Sequence, residues 1–569
     1  MRRSLACLLA TAALGLGTSL PAAAQQVPAQ PPAPTAAPAA TPAQQPRPQL
    51  VLALSVDQLS ADLFAQYRER FTGGFARLLS GAVFPSGFQS HAATETCPGH
   101  STILTGTHPA RNGIIANNWF DPTIARADKR IYCSEDTSDP SSTSREPVVS
   151  SRLLKVPTLG EMMKAADPAT RNVAVSAKDR AVMMMGGHKI DAAYWWKGSG
   201  FVTLRGRELS SAAQAANASA DRLLASGAPA LKVPAWCSVR DRAVPVGGST
   251  VGTGRFALPK GAKPDQLRVS PRMDGVTVDL AIALVDEMKL GQGATPDVLS
   301  VSLSASDYIG HALGTEGLEM CLQMVELDRH IGRLFAALDK RGIDYVVALT
   351  ADHGGHDAPE RLRQQALPRA ARADKALMPD ALGAEITRRT GIAAPKGPLI
   401  YGDGPFGDFY INAGVSGSAR NRVIAELVAV AKAHPQVAAV YTAAELAATP
   451  MPAGSPQDWT LKDRARASFV ADRSGDVVIL LDRAITPIPV PVPGAFIATH
   501  GSPWDYDRRV PMLFWRRGMA GFEQPNPVDT VDIAPTLAAV LGLKVDAGAF
   551  DGRCLDLDAG AGNTCERVK

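Results

Sequence analysis

Four short apolar runs, each ending on acid or imidazole, constrain the fold of this 569-residue chain more than any other feature. Leu50–Val56 runs into Asp57, Val298–Leu303 leads to Asp307, Tyr345–Leu349 to Asp352-His353, and Ala495–Ala498 to His500. The runs are largely continuous rather than alternating, as expected of strands buried on both faces. Between them lie longer segments with helical spacing, such as Leu154–Ala165 and Leu318–Leu338. This alternation predicts an α/β three-layer sandwich: a mostly parallel central sheet with helices on both faces. In such sheets ligands bind beyond the carboxyl ends of the strands, where all four polar clusters fall.

Two stretches break the rhythm. Residues 190–270 are rich in Gly, Ser, Ala and Trp. Residues 358–480 predict a helical hairpin, a strand near Asp408–Asn412 and a helix over Ser418–Ala433. Both read as insertions capping the strand C-terminal ends within one catalytic domain, 49–569. Ahead of it, Arg2-Arg3, the apolar stretch Leu5–Leu20 and Ala22-Ala23-Ala24 read as a signal peptide over 1–24. Residues 25–48, mostly Pro, Ala, Gln and Thr, read as a linker. Export to the periplasm or medium follows, as a monomer with no membrane span after signal removal. A net charge of +4, with no basic run interleaved with aromatics, excludes nucleic acid as a dedicated partner. Seven cysteines include Cys7 in the signal peptide, and Cys554–Cys565 is the one pairing expected among the rest. With no C-x-x-C pair, a cysteine-held zinc is not expected.

The metal-ligating candidates are Asp57, Asp307, His311, Asp352, His353 and His500. Carboxylate and imidazole suit divalent zinc. Asp307 and His311 are four apart, so one helical turn after the strand puts both on one face. Asp352-His353 precede Gly354-Gly355, which allow a sharp turn. Singly, an aspartate at a strand end is a cap or turn residue and a histidine an ordinary side chain; joint placement after four runs singles these six out. His91, His108, His330 and His434 read as structural or exposed, and His100, His188 and His356 stay open between the two readings.

The segment Thr94-Glu95-Thr96-Cys97-Pro98-Gly99-His100 carries a nucleophile candidate. Thr and a following Pro favour a helix start, so Thr96 is expected at a helix N-terminus, where free amides attract phosphate. Asn117 could donate to a phosphate oxygen. Lys178 and Arg180, two apart on an extended chain, would point to one side and clamp a dianion.

These residues resemble the alkaline phosphatase superfamily, in its threonine-nucleophile branch of nucleotide pyrophosphatase/phosphodiesterases and secreted bacterial alkaline phosphatases. The match runs through Thr96–His100, Thr105-Gly106, His108-Pro109, Gly113–Ile115 and Asn117, then Asp57, Asp307/His311, Asp352–Gly355, His500-Gly501 and Val531–Leu537. The resemblance implies two zinc ions, one on Asp307, His311 and His500, the other on Asp57, Asp352 and His353 with the Thr96 oxygen. It also implies a phosphothreonine intermediate and, from Lys178-x-Arg180, phosphomonoester substrates rather than diesters. Asn117, Lys178, Arg180 and the Cys97 amide would hold the phosphoryl oxygens. The Cys-x-Pro-x-Arg motif of sulfatases is absent, and no third, magnesium site is expected. The alternatives to a monoesterase are a diester hydrolase and an exported protein that binds metal or phosphate without catalysis.

Overall fold

The computed structural model describes residues 46–365 and 367–568. The expected signal peptide and all but the end of the linker lie outside the described residues. No helix among the described residues is long and apolar enough to cross a membrane.

Ten strands form the central sheet. In chain order they are β1 (Leu50–Val56), β2 (Ala82–Phe88), β3 (Asn172–Ser176), β4 (Ala192–Lys197), β5 (Gly200–Val202), β6 (Asp297–Leu303), β7 (Tyr345–Thr350), β8 (Arg509–Arg516), β9 (Phe522–Glu523) and β10 (Val528–Asp529). Their spatial order is β9-β2-β8-β7-β1-β6-β3-β4-β5, with β10 also paired to β2. The run β7-β1-β6-β3-β4 is parallel throughout; β8 and β5 are antiparallel to their neighbours. The chain reaches β7 from β6 by crossing over β1, so β1 sits at the point where strand order reverses and a crevice opens.

Alternate residues of each strand enter two cores, which explains why the runs are continuously apolar. Leu52, Leu54, Val301, Leu303, Val347 and Leu349 pack against α3 (Arg272–Glu287) and α5 (Leu318–Lys340). Val51, Ala53, Val298, Val346 and Ala348 face Ile103 and Leu104 of α1 (Thr96–Thr105) and Ile533 and Leu537 of α6 (Ile533–Leu541). At about 1.5–3 kcal/mol per buried aliphatic side chain, these two layers hold the strand tips in register.

Three expectations change. Ala495–Ala498 is not a strand: it is irregular backbone pinned by the Ile497 and Ala498 amides on the His311 carbonyl, 2.7 and 3.3 Å. Among the described residues Phe496 pairs only with Val492, in an isolated antiparallel bridge across a tight turn, so the run joins no sheet. The stretch 190–270 is not all insertion, because β4 and β5 extend the central sheet and Ser211–Ser226 packs beside α3. The segment expected to be helical from Leu154 begins only at Leu159, where Thr158 and Glu161 form a capping box. Within 358–480, a four-stranded sheet runs Ile400–Tyr401, Gly407–Ile411, Val477–Leu481, Val437–Thr442, flanked by the helix Gly417–Lys432. Val478 and Leu480 of that sheet pack on Ala92, just ahead of α1.

Candidate active site

Adjacent parallel strands β7, β1, β6 and β3 deliver the polar groups. Asp57 follows β1 directly. Asp307 and His311 stand one turn apart on α4 (Ala305–Leu313) after β6. Asp352 and His353 follow β7. Lys178 caps α2 (Asp179–Gly186) after β3, and Arg180 lies inside that helix rather than on extended chain. Both cations still reach one place: Lys178 Nζ is 3.4 Å and Arg180 Nη2 3.5 Å from Thr96 Oγ1. Thr96 is the first residue of α1, with Glu95 in the capping position, and it is fully buried. The helix is buried on every side, not amphipathic.

Close backbone approach brings α1 onto the end of β7. A Cβ at Gly99 would stand 1.8 Å from the Asp352 carbonyl oxygen, so only glycine allows α1 to lie there. Gly354 has the same origin. Its φ is not positive, and a Cβ would meet the Tyr506 carbonyl at 2.2 Å, so close packing rather than a sharp turn requires glycine.

Three histidines share one arrangement. Nδ1–H of His311 donates to the Ala498 carbonyl (2.9 Å), that of His500 to Thr94 (2.8 Å), and that of His353 to Gly354 (2.8 Å). A carbonyl only accepts, so each Nε2 is left to face carboxylate. His311 and His500 Nε2 lie 3.1 and 3.4 Å from Asp307 Oδ1. His353 Nε2 lies 3.2 Å from Asp352 Oδ2 and 3.5 Å from Asp57 Oδ1. Burial pushes His353 down to about 3, so its ring is neutral. Asp57 Oδ1, Asp307 Oδ1, Asp352 Oδ2 and His353 Nε2 are buried without a hydrogen bond. Buried acceptors facing acceptors are costly unless a cation lies between them. Ligand atoms of Asp57, Asp352 and His353 lie within 4.8 Å of one another, as do those of Asp307, His353 and His500. The donor set therefore fits divalent metal, with backbone carbonyls orienting the imidazoles.

Lys178 lies between the two groups, 2.6 Å from Asp57 Oδ2 and 2.5 Å from Asp307 Oδ2. Burial opposes its charge, but Asp307 and Asp57 outweigh burial and raise its pKa. Burial, then Asp307 and Asp352, push the Asp57 carboxyl well up. Burial acts likewise on Asp307, yet His311 and Lys178 prevail and hold it well below the usual range. One ammonium thus bridges two of the three crowded carboxylates.

Asn117 Oδ1 accepts from the Cys97 amide at 2.8 Å. The Cys97 N–H expected to face phosphate is therefore engaged, and Asn117 Nδ2 is the donor left over. Glu95 Oε2 in turn accepts from the Asn117 amide at 2.6 Å. Cys97 pairs with Cys133, Cys237 with Cys321, and Cys554 with Cys565 as expected. His100, left open from sequence, belongs to the site: its ring meets the Thr96 carbonyl and Ser302 Oγ, both at 2.9 Å, and Asp352 Oδ2 at 3.1 Å. Gln58, whose amide reaches Asp352 Oδ1 at 3.2 Å, carried no signal beyond its place next to Asp57. His188 and His356 bind elsewhere, to Leu154 and Thr486.

An open α/β sheet with buried carboxylate–imidazole pairs at adjacent strand tips, beside a hydroxyl at a helix N-terminus, defines a metal-assisted hydrolase. The chain belongs to the type I phosphodiesterase / nucleotide pyrophosphatase family, matched over residues 51–501, within the alkaline phosphatase superfamily. It is 52% identical to alkaline phosphatase PhoK of a Sphingomonas species, over 91% of this chain and 92% of that one. It is 47% identical to alkaline phosphatase PhoD of Zymomonas mobilis, over 91% and 89%. The crystal structure of alkaline phosphatase PafA superimposes with a TM-score of 0.77 at 25% identity, covering 90% of this chain and 99% of that one.

Proposed function

We propose that the chain is a phosphomonoester hydrolase, an alkaline phosphatase, that works through a phosphothreonine on Thr96 with two zinc ions. One ion is assigned to Asp307, His311 and His500, the other to Asp57, Asp352 and His353 with Thr96 Oγ1. The observation that carries this reading is the convergence of Lys178 Nζ and Arg180 Nη2 on Thr96 Oγ1, at 3.4 and 3.5 Å, with Lys178 also on Asp57 and Asp307. Two cations there supply Lewis acidity that lowers the cost of charge on the attacking and leaving oxygens.

Thr96 Oγ1 attacks phosphorus in line, its new P–O bond replacing the one to the alcohol oxygen opposite, and the hydroxyl proton passes by way of water to that oxygen, which leaves as the alcohol. Arg180 and Lys178 pair with the non-bridging oxygens, and Asn117 Nδ2 donates to one of them. Water attacking the phosphothreonine then frees phosphate and restores Thr96. Positioning and fixed charge supply most of the rate in phosphoryl transfer. Export is carried by the sequence of the first 24 residues, with Arg2-Arg3, the apolar stretch Leu5–Leu20 and Ala22-Ala23-Ala24.

The family's name favours a diesterase, and the two cations at Thr96 favour a monoesterase: a dianion uses both charges, a diester has one fewer. Turnover of 4-nitrophenyl phosphate and its bis-ester decides between them. The monoester is expected to be preferred, and Lys178→Ala and Arg180→Ala to lose about 100-fold in kcat/KM on the monoester and far less on the diester. A preference for the bis-ester, or monoester rates indifferent to both substitutions, overturns the assignment. Metal analysis of the purified protein is expected to return two zinc per chain.

A further inference from the structure

Beside the phosphoryl site lies a cleft of about 110 Å³ that the reaction described above does not use. Glu95 and Gly501, next in sequence to Thr96 and His500, both line it, and a Cβ on Gly501 would lie 3.7 Å from the Glu95 side chain, so the cleft adjoins the phosphoryl site. A phosphomonoester carries only one group on phosphorus, the alcohol portion.

Two features of the walls set what that portion can be. Phe120 and Tyr410 (centroids 5.9 Å apart) and Phe406 present aromatic surface. Glu95, Asp403 and Asp408 present carboxylates, and no lysine, arginine or histidine lines the cleft among the described residues. Asp408 Oδ1 accepts one hydrogen bond, from the Gly475 amide at 2.7 Å. Asp403 is engaged at both oxygens, Oδ1 by Arg130 and Oδ2 by Asn118, which leaves Asp408 as the carboxylate with least compensation. Burial pushes the Asp408 carboxyl up to about 6, so it is charged at alkaline pH. Negative charge next to a site that binds a dianion opposes inorganic phosphate and acidic alcohols alike. Aromatic faces and carboxylates together attract ammonium groups.

We infer that this cleft is a leaving-group subsite that selects phosphomonoesters of amino alcohols, taking the ammonium against Asp408 and the ring faces of Phe406 and Tyr410. The inference rests on the monoesterase reading above. The test compares kcat/KM for 2-aminoethyl phosphate and 2-carboxyethyl phosphate, with 4-nitrophenyl phosphate as reference. The aminoethyl ester is expected to be favoured about tenfold over the carboxyethyl ester, chiefly through KM, as one well-placed charge contact provides. Asp408→Asn keeps an acceptor for the Gly475 amide and is expected to bring the ratio down about threefold, with Asp403→Asn moving it less. Thermal unfolding of each variant checks that the fold is kept. A ratio near one in the wild type, or a ratio unmoved by Asp408→Asn in a folded variant, overturns the subsite. Failure to hydrolyse any of the three esters would instead overturn the monoesterase reading itself.

Discussion

The floor of the site and the sheet beside it are built on opposite terms. The floor is the tips of β7, β1, β6 and β3, where Asp57, Thr96, Lys178, Asp352 and His353 are nearly or wholly buried and tied by hydrogen bonds spanning most of the chain. The four-stranded sheet over 400–481 leaves Phe406 and Asp408 half-buried and Asp403 exposed. Chemistry that depends on placement needs the first kind of surface, and discrimination among alcohols can use the second. The contrast assigns catalysis to the floor and choice of ester to the cleft.

That division can be broken most sharply at Thr96. Thr96→Ala is expected to lower kcat about 10⁴-fold on every ester, independently of the alcohol, in a steady-state assay. A loss confined to some esters would dissolve the contrast. Removal of metal by a chelator is expected to abolish turnover and to lower Tm by on the order of 5 °C, since the buried carboxylates of Asp57 and Asp307 would then share one lysine. Scanning calorimetry with and without added zinc measures this, and an unchanged Tm would mean that the floor needs no cation. The smallest effect belongs to the cleft. Phe406→Ala is expected to change KM about threefold, by amounts that differ between esters, with kcat on 4-nitrophenyl phosphate little moved. An equal fall in kcat for all esters would place Phe406 with the floor.

The same contrast runs through what could be read before the structure. Asp57, Asp307 and Asp352-His353 were legible because a strand buried on both faces must be apolar throughout, so a charged residue at its end stands out. His500 was found for the wrong reason, since irregular backbone pinned to the His311 carbonyl, not a strand, carries it. Lys178 and Arg180 were paired on a mistaken extended geometry. A helix start after β3 nonetheless brings both to Thr96, because each side chain is long enough to reach. The carbonyls that set the three imidazoles, and the Cys97–Cys133 bond beside the nucleophile, left no pattern in the sequence; both depend on loops meeting in space. The cleft carboxylates were equally silent, as aspartates in a loop-rich stretch look like any turn.

His500 donates to the Thr94 carbonyl across 406 positions of chain, and its neighbours Ile497 and Ala498 hold the helix that bears His311. A polypeptide made from its N-terminus therefore carries Thr96, Lys178 and the early aspartates for most of its synthesis without the piece that completes their surroundings. Truncation anywhere before that histidine leaves an unfinished cradle, however much of the sheet has formed. Hydrolytic competence therefore arrives late in synthesis.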